Sequence, residues 1–352
     1  METTTLIQEP EVKNNHSQPL PPPAQMMQMV IGYWNACCLY PVAKLAVADL
    51  LAERPLTAAE IANLTHTNAD AMYRVLRALS SVGVFSENDE HHFELTPLGN
   101  TLRSDVPGSM RAMVIAQLGD HYSAWGNLLY SVQTGKIAFD HLHGMSVWKY
   151  YETHPEEGIN FTKAMSGLTQ AVAMNHLPAY HFNDYKTIVD VGGGNGALMT
   201  AVLQNNNEPE GIVYDEPYIE EEAKQVIEKN KLSARCRFEK GSFFESVPAN
   251  ANLYLMKLIL HDWNDEQSLA ILNNVNKAMN STSRLLIIES VIPEGNVPHP
   301  GKFMDINMLN MTGGRERTEN DWKQLLAKAG LNVLKIISTH SPLFSLIEAK
   351  KK

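Results

Sequence analysis

Residues 186–200 read KTIVDVGGGNGALMT. An apolar, β-branched run ends at Val191, and four glycines then fall within five positions, 192–196. Glycine reaches backbone conformations closed to other residues and leaves no side chain between the main chain and a ligand. A buried strand, a glycine turn and a helix from about Ala197 is the opening unit of a nucleotide-binding α/β fold. Gly192, Gly194 and Ala197 satisfy the dinucleotide spacing GxGxx(G/A). On that spacing alone, NAD and S-adenosylmethionine are comparable ligands.

The chain downstream fits such a fold. Strand-like runs TIVDV, GIVYD, CRFEKG, NLYLMKLIL and RLLIIESVI alternate with helical stretches. That alternation predicts a doubly wound parallel sheet, over 181–352. Ligands of such sheets bind at the carboxyl ends of the strands. Asp190 lies near the end of the first run. Asp215 ends the next, about 20 residues beyond the glycines, where an acid can accept both ribose hydroxyls. After a later strand come Lys257, His261, Asp262 and Trp263. Glu289 ends the run LLIIE, and Glu316 lies in GGRERTENDW. Either acid could orient the His261 ring.

The front half reads differently. Residues 1–24 are polar and Pro-rich, without the apolar core of a signal peptide, and are expected to be a disordered tail. From Met26 to Leu51 the pattern is helical and apolar nearly all round, which calls for cover from a core or a second subunit. Pro41 should kink or divide it. Thr57 and Glu60 have capping-box spacing. Met72, Val75, Leu76 and Leu79 share one helical face, Gly83 stops that helix, and VFSENDEHHFEL suggests two short strands. Helix, helix, hairpin is a winged-helix pattern, assigned to 25–115. Residues 116–180 look mostly helical, with aromatics that are mainly core and in part a pocket wall.

A winged helix raises a rival function, DNA binding. The net charge of −10 and the acidic turn ENDEHH oppose it, because phosphate contacts need clustered Lys and Arg. Nucleic acid is therefore not expected as a partner. No run of about 18 apolar residues predicts a membrane span. Cys37, Cys38 and Cys236 lack metal or disulfide spacing, which suits a reduced, cytoplasmic setting. The histidines are scattered away from grouped acids, so no metal is expected.

Taken in order, VDVGGGNG, YDEP, GSFFESVP, LILHDWNDE, LLIIESVIPEG and MTGGRERTENDW resemble the S-adenosylmethionine-dependent O-methyltransferases of the caffeate and hydroxyindole type. The resemblance covers about residues 25–349. It implies a class I methyltransferase domain behind a winged-helix dimerisation domain, a homodimer, and S-adenosylmethionine converted to S-adenosylhomocysteine. It implies that Asp190, Gly192, Gly194, Asp215, Ser242, Phe243 and Lys257 hold the cofactor. His261 becomes the catalytic base, supported by Glu289 and Glu316. Phe161, Met165, Met308 and Met311 match substrate-pocket positions, and the acceptor is a small hydroxylated aromatic or polyketide-like molecule.

The chain departs from that pattern in places. Ser242 stands where many members carry Asp, and Glu216 places a charge where an apolar residue usually packs by the adenine. Leu168 replaces a pocket His of some plant members. Relatives that hydroxylate or run pericyclic chemistry keep a second enzymatic reading open, and a metabolite-sensing regulator a third. Retention of His261 with both acids favours methyl transfer to oxygen.

Overall fold

The computed structural model describes residues 20–339 and 343–352. Most of the expected tail lies outside these residues, but Pro22–Ile31 is already helical, so residues 22–24 are not part of a tail. The apolar stretch breaks at Gly32 and at Ala46, whose φ is 54°, rather than at Pro41. Pro41 sits inside the Tyr33–Lys44 helix, in its last turn, where one missing N–H interrupts little of the ladder.

Strands β1 (Leu56–Thr57), β2 (Phe85–Glu87) and β3 (His92–Leu95) form a small sheet in the order β1-β3-β2. The helices Ala58–Thr65 and Ala69–Ser80 pack on it. Thr57 and Glu60 make both halves of the capping box. Met72, Leu76 and Leu79 meet Phe85, Phe93 and Ile61 in one core, while Val75 is only half-buried against it. The second helix and the β2–β3 hairpin thus follow from the apolar spacing and the polar turn.

The large sheet has seven strands: β4 (Thr187–Val191), β5 (Glu210–Asp215), β6 (Cys236–Lys240), β7 (Leu253–Lys257), β8 (Arg284–Glu289), β9 (Leu331–Ser338) and β10 (Ser345–Lys351). Their spatial order is β6-β5-β4-β7-β8-β10-β9. The first five run parallel, as expected. β10 is antiparallel to both β8 and β9, so the sheet is mixed rather than wholly parallel. Glu348 explains why β10 escapes a pattern search. A carboxylate in mid-strand reads as solvated, yet it is buried, 3.1 Å from Lys335 and 3.6 Å from Arg284.

Apolar cores cover both faces of this sheet. From β4 the chain moves outward through β5 and β6, then returns to β7 on the other side of β4. The strand order therefore reverses between β4 and β7, where a crevice opens at the carboxyl edge.

Candidate active site

Five strand ends deliver the site. The turn after β4 carries Gly192, Gly194 and Gly196 at φ 71°, 55° and 78°. A methyl group on Gly192 would lie 2.5 Å from Ile259 Cδ1, and one on Gly193 would lie 2.9 Å from Asp190 Oδ2. A methyl on Gly194 would meet nothing within 4 Å, so that face of the turn is open. Asp215, ending β5, fixes the turn: Oδ2 accepts the Gly194 N–H at 2.7 Å and Oδ1 accepts the Glu216 N–H at 2.7 Å. Burial raises its pKa, and these two N–H donors oppose the rise. The Glu216 side chain is exposed.

Asp190 is buried at the base of the turn, and its Oδ2 has no hydrogen-bond partner among the described residues. Burial pushes its pKa up to about 7 against the pull of Lys257, at the end of β7. Burial lowers the Lys257 pKa in turn, offset by Asp190, Asp262 and Glu289. Ser242 starts the turn after β6, accepting the backbone N–H groups of Glu245 and Ser246. Phe243 packs edge-on against Trp263 at 6.2 Å and tilts against Phe244 at 5.0 Å, forming an apolar wall. An open glycine turn, an acid with free lone pairs, an orphaned carboxylate oxygen and an aromatic wall suit a nucleoside with a charged tail.

His261 lies on a single tight turn, Leu260–Asp262, just beyond β7. Leu258 enters it at φ 54°, a left-handed conformation that costs a non-glycine residue roughly 1–2 kcal/mol. Glu289 Oε1 accepts the N–H groups of Ile259 (3.1 Å) and Leu260 (2.7 Å). Glu289 therefore holds the backbone of the turn and makes no hydrogen bond to the ring. Glu316 does: its Oε1 lies 2.8 Å from His261 Nδ1. Nε2 stands 3.7 Å from Asp262 Oδ1. The imidazole is 6% exposed. Burial favours its neutral form, but Asp262, Glu316 and Glu289 outweigh that and raise its pKa to about 9. Burial likewise lifts Glu289 to about 7 and Asp262 to about 6.

Several supports were not legible in the residue pattern. Arg317 is 1% exposed and donates to the carbonyls of Leu260 (3.0 Å) and Trp263 (3.1 Å) and to Asp265 (2.9 Å). Arg315 N–H reaches the His261 carbonyl at 2.9 Å. Gly314 backs onto the same carbonyl so closely that a Cβ there would lie 1.9 Å from it. Asp305 Oδ1 accepts the Glu316 N–H at 2.8 Å. The paired glycines and flanking arginines of GGRER were the available signal.

Phe161 and Met165, both half-buried, lie on the helix Pro155–Asn175, whose Ser166 accepts from Asn195 of the glycine turn at 3.1 Å. Met308 is 6% exposed on the Gly301–Met311 helix, beside Asn307, which accepts from Trp125 at 2.9 Å. Met311 is 2% exposed and packs with Ala124, Phe139 and Val147. Tyr151 packs against the same cluster. Among the described residues, no group of three or more His, Cys, Asp or Glu side chains is placed to hold a metal ion, and no helix is long and apolar enough to cross a membrane.

Comparison with known proteins gives two family matches, an O-methyltransferase dimerisation domain over residues 27–105 and an O-methyltransferase domain over 125–332. The phenazine O-methyltransferase PhzM of Lysobacter antibioticus is 39% identical over 338 residues, covering 96% of this chain and 99% of that protein. The crystal structure of LaPhzM superposes with a TM-score of 0.91 at 39% identity, covering 95% of this chain and all of that one (100%). An O-methyltransferase from neocarzinostatin biosynthesis, NcsB1, solved with S-adenosylmethionine and 2-hydroxy-5-methyl naphthoic acid, gives a TM-score of 0.78 at 30% identity, covering 90% and 96%.

Proposed function

This chain belongs to the S-adenosylmethionine-dependent O-methyltransferases, and from that premise we propose that His261 is the general base for methylation of a small planar phenol. The observation that carries the reading is the buried Glu316–His261 pair at the carboxyl edge, beside the open glycine turn.

When bound, S-adenosylmethionine supplies an electrophilic methyl group on a sulfonium. The chain's residues have three tasks around it. Asp215 keeps the glycine turn in shape and retains lone pairs for the ribose hydroxyls. Phe243 and Trp263 exclude water on the base side. His261 handles the acceptor's proton. A phenol ionises near pH ~10, so at neutral pH it needs that help to become a nucleophile. Base catalysis of this kind is worth about 10²–10⁴ in rate.

Glu316 accepts the Nδ1 proton, which leaves the Nε2 lone pair for the acceptor and stabilises the imidazolium that forms. The same carboxylates make the resting ring hold a proton too firmly for a base at neutral pH. A second positive charge in the crevice opposes that hold, so His261 releases its proton more readily with the donor in place. Glu289 keeps the ring at the right height by fixing the two N–H groups before it.

The acceptor classes of the relatives, a phenazine for one and a naphthoic acid for another, favour a planar hydroxylated aromatic here. The matched dimerisation domain and the exposed apolar front favour a homodimer. The test is mass spectrometry across phenols, hydroxynaphthalenes and hydroxylated heteroaromatics, seeking the gain of one methyl. His261→Gln is expected to bind S-adenosylhomocysteine normally by calorimetry yet lose about 10²–10⁴ in turnover. Near-normal turnover would remove His261 from the role.

A further inference from the structure

Eight buried side-chain polar atoms lack a hydrogen-bond partner among the described residues. Three of them, on Asp190, Glu289 and Glu316, surround the crevice already described. A fourth, His121 Nδ1, belongs to the helical segment in front of it.

His121 is 5% exposed. Its Nε2 meets the Tyr151 hydroxyl at 2.9 Å. Its ring tilts toward Phe161 at 6.2 Å, and Phe161 stacks on Tyr151 at 4.7 Å with the planes 22° apart. Trp148 stands edge-on to Phe161 at 6.2 Å. One helical turn along from His121, Trp125 donates to Asn307, next to Met308. The orphaned nitrogen thus sits within a set of flat side chains from three helices, joined to the Gly301–Met311 helix that bears Met308.

A buried polar atom without a partner is destabilising, because it has given up water and gained nothing in return. Core histidines lessen that cost by placing an acceptor at the ring N–H, as His176 does with the carbonyls of Val172 and Phe344, each 3.2 Å from a ring nitrogen. Burial depresses the His121 pKa to about 4, which keeps the ring neutral. Burial also raises the pKa of the Tyr151 hydroxyl, which stays protonated. Among the described residues the Tyr151 hydroxyl has no acceptor but Nε2, so it donates there, and the ring proton belongs on Nδ1, a neutral N–H donor left unused.

We propose that His121, held in this tautomer by Tyr151, donates a hydrogen bond to a neutral acceptor atom, a ring nitrogen or carbonyl oxygen, on the side of the substrate remote from the reacting hydroxyl. Phe161 and Tyr151 supply the flat wall for the same ring system. The site therefore selects bifunctional aromatics, with a hydroxyl toward His261 and a neutral heteroatom toward His121. A carboxylate buried there with no cation to pair it would lose more hydration than one neutral donor returns, so the selection is by hydrogen bond and not by charge. The proposal rests on the methyl-transfer reading for its geometry, and the experiment separates the two.

The probes are 5-hydroxyquinoline and 1-naphthol, matched in shape and differing by one ring nitrogen. Binding is measured by calorimetry on protein saturated with S-adenosylhomocysteine, and turnover by mass spectrometry. The wild-type protein is expected to favour 5-hydroxyquinoline by about tenfold or more. His121→Phe, which keeps a flat ring and removes the Nδ1 donor, is expected to erase that preference while keeping 1-naphthol and S-adenosylhomocysteine binding within about twofold. If His121→Phe also loses S-adenosylhomocysteine, Tyr151→Phe decides, because it keeps the stack and releases the tautomer. An unchanged preference in the deciding variant, equal treatment of both probes by wild type, or binding of neither overturns the proposal. Preference in binding without any methyl transfer leaves His121 in its role and sinks the methyl-transfer reading instead.

Discussion

At the scale of the residue, the site turns on which carboxylate touches the imidazole. Glu316 does and Glu289 does not, so their removal should differ. Glu316 raises the His261 pKa. Glu316→Gln should therefore move the acidic limb of the kcat/KM–pH profile to lower pH, because the ring sheds its proton sooner, while kcat falls for want of tautomer control. The limb belongs to the coupled cluster rather than to one residue. A profile that stays in place would show that Glu316 does not set the ring's protonation. His261, Glu289 and Glu316 were singled out through the resemblance carried by LILHDWNDE, LLIIESVIPEG and MTGGRERTENDW, and the fold brings the three together. Arg317 was not, because an arginine in a charged run looks solvated, and only the fold reveals that its guanidinium is sealed behind the turn. A methionine suits a pocket and a core equally well, so residue type alone could not place Met311, which packs with Ala124, Phe139 and Val147 in a cluster that Tyr151 also joins.

At the scale of the element, the turn bearing His261 is held from every side but the crevice. Glu289 grips its N–H groups, Arg317 and Arg315 its carbonyls, and Gly314 leaves no room behind. Gly314→Ala should displace the turn, since backbone cannot yield as a flexible side chain can. The expected outcome is a loss of about 2–4 kcal/mol in stability, read by denaturant unfolding, with turnover falling further than cofactor affinity. Equal losses of kcat and of cofactor binding would mean general unfolding instead. The five parallel strands were readable because each is a short apolar run with a turn signal after it. The β9–β10 pair was not, since Glu348 and the lysines near it mask a buried strand as a polar tail.

For the whole molecule, the telling feature is the front. The helix Pro22–Ile31 buries none of its residues, and Met29 is 78% exposed, with Met26, Val30 and Trp34 also above half. Contiguous apolar surface of this kind marks an interface. Light scattering should give a dimer, and a Met29→Asp, Trp34→Asp double substitution should yield monomers with the fold retained by circular dichroism. A monomeric parent protein would contradict this. The sequence carried the need for cover in an all-round apolar run; it could not say which faces remain bare after the winged-helix core has formed, because that depends on where the chain turns at Gly32 and Ala46.

The strand β10 ties the crevice to a distant part of the chain. It spans residues 345–351, yet it lies inside the sheet, between β8 and β9. β8 therefore has a neighbour on each flank, β7 and β10, and Glu289 at its tip is steadied from both sides. Pairings between segments far apart in sequence form late and slowly. The glycine turn is local and can form early, but the crevice takes its finished shape only when that long-range pairing closes.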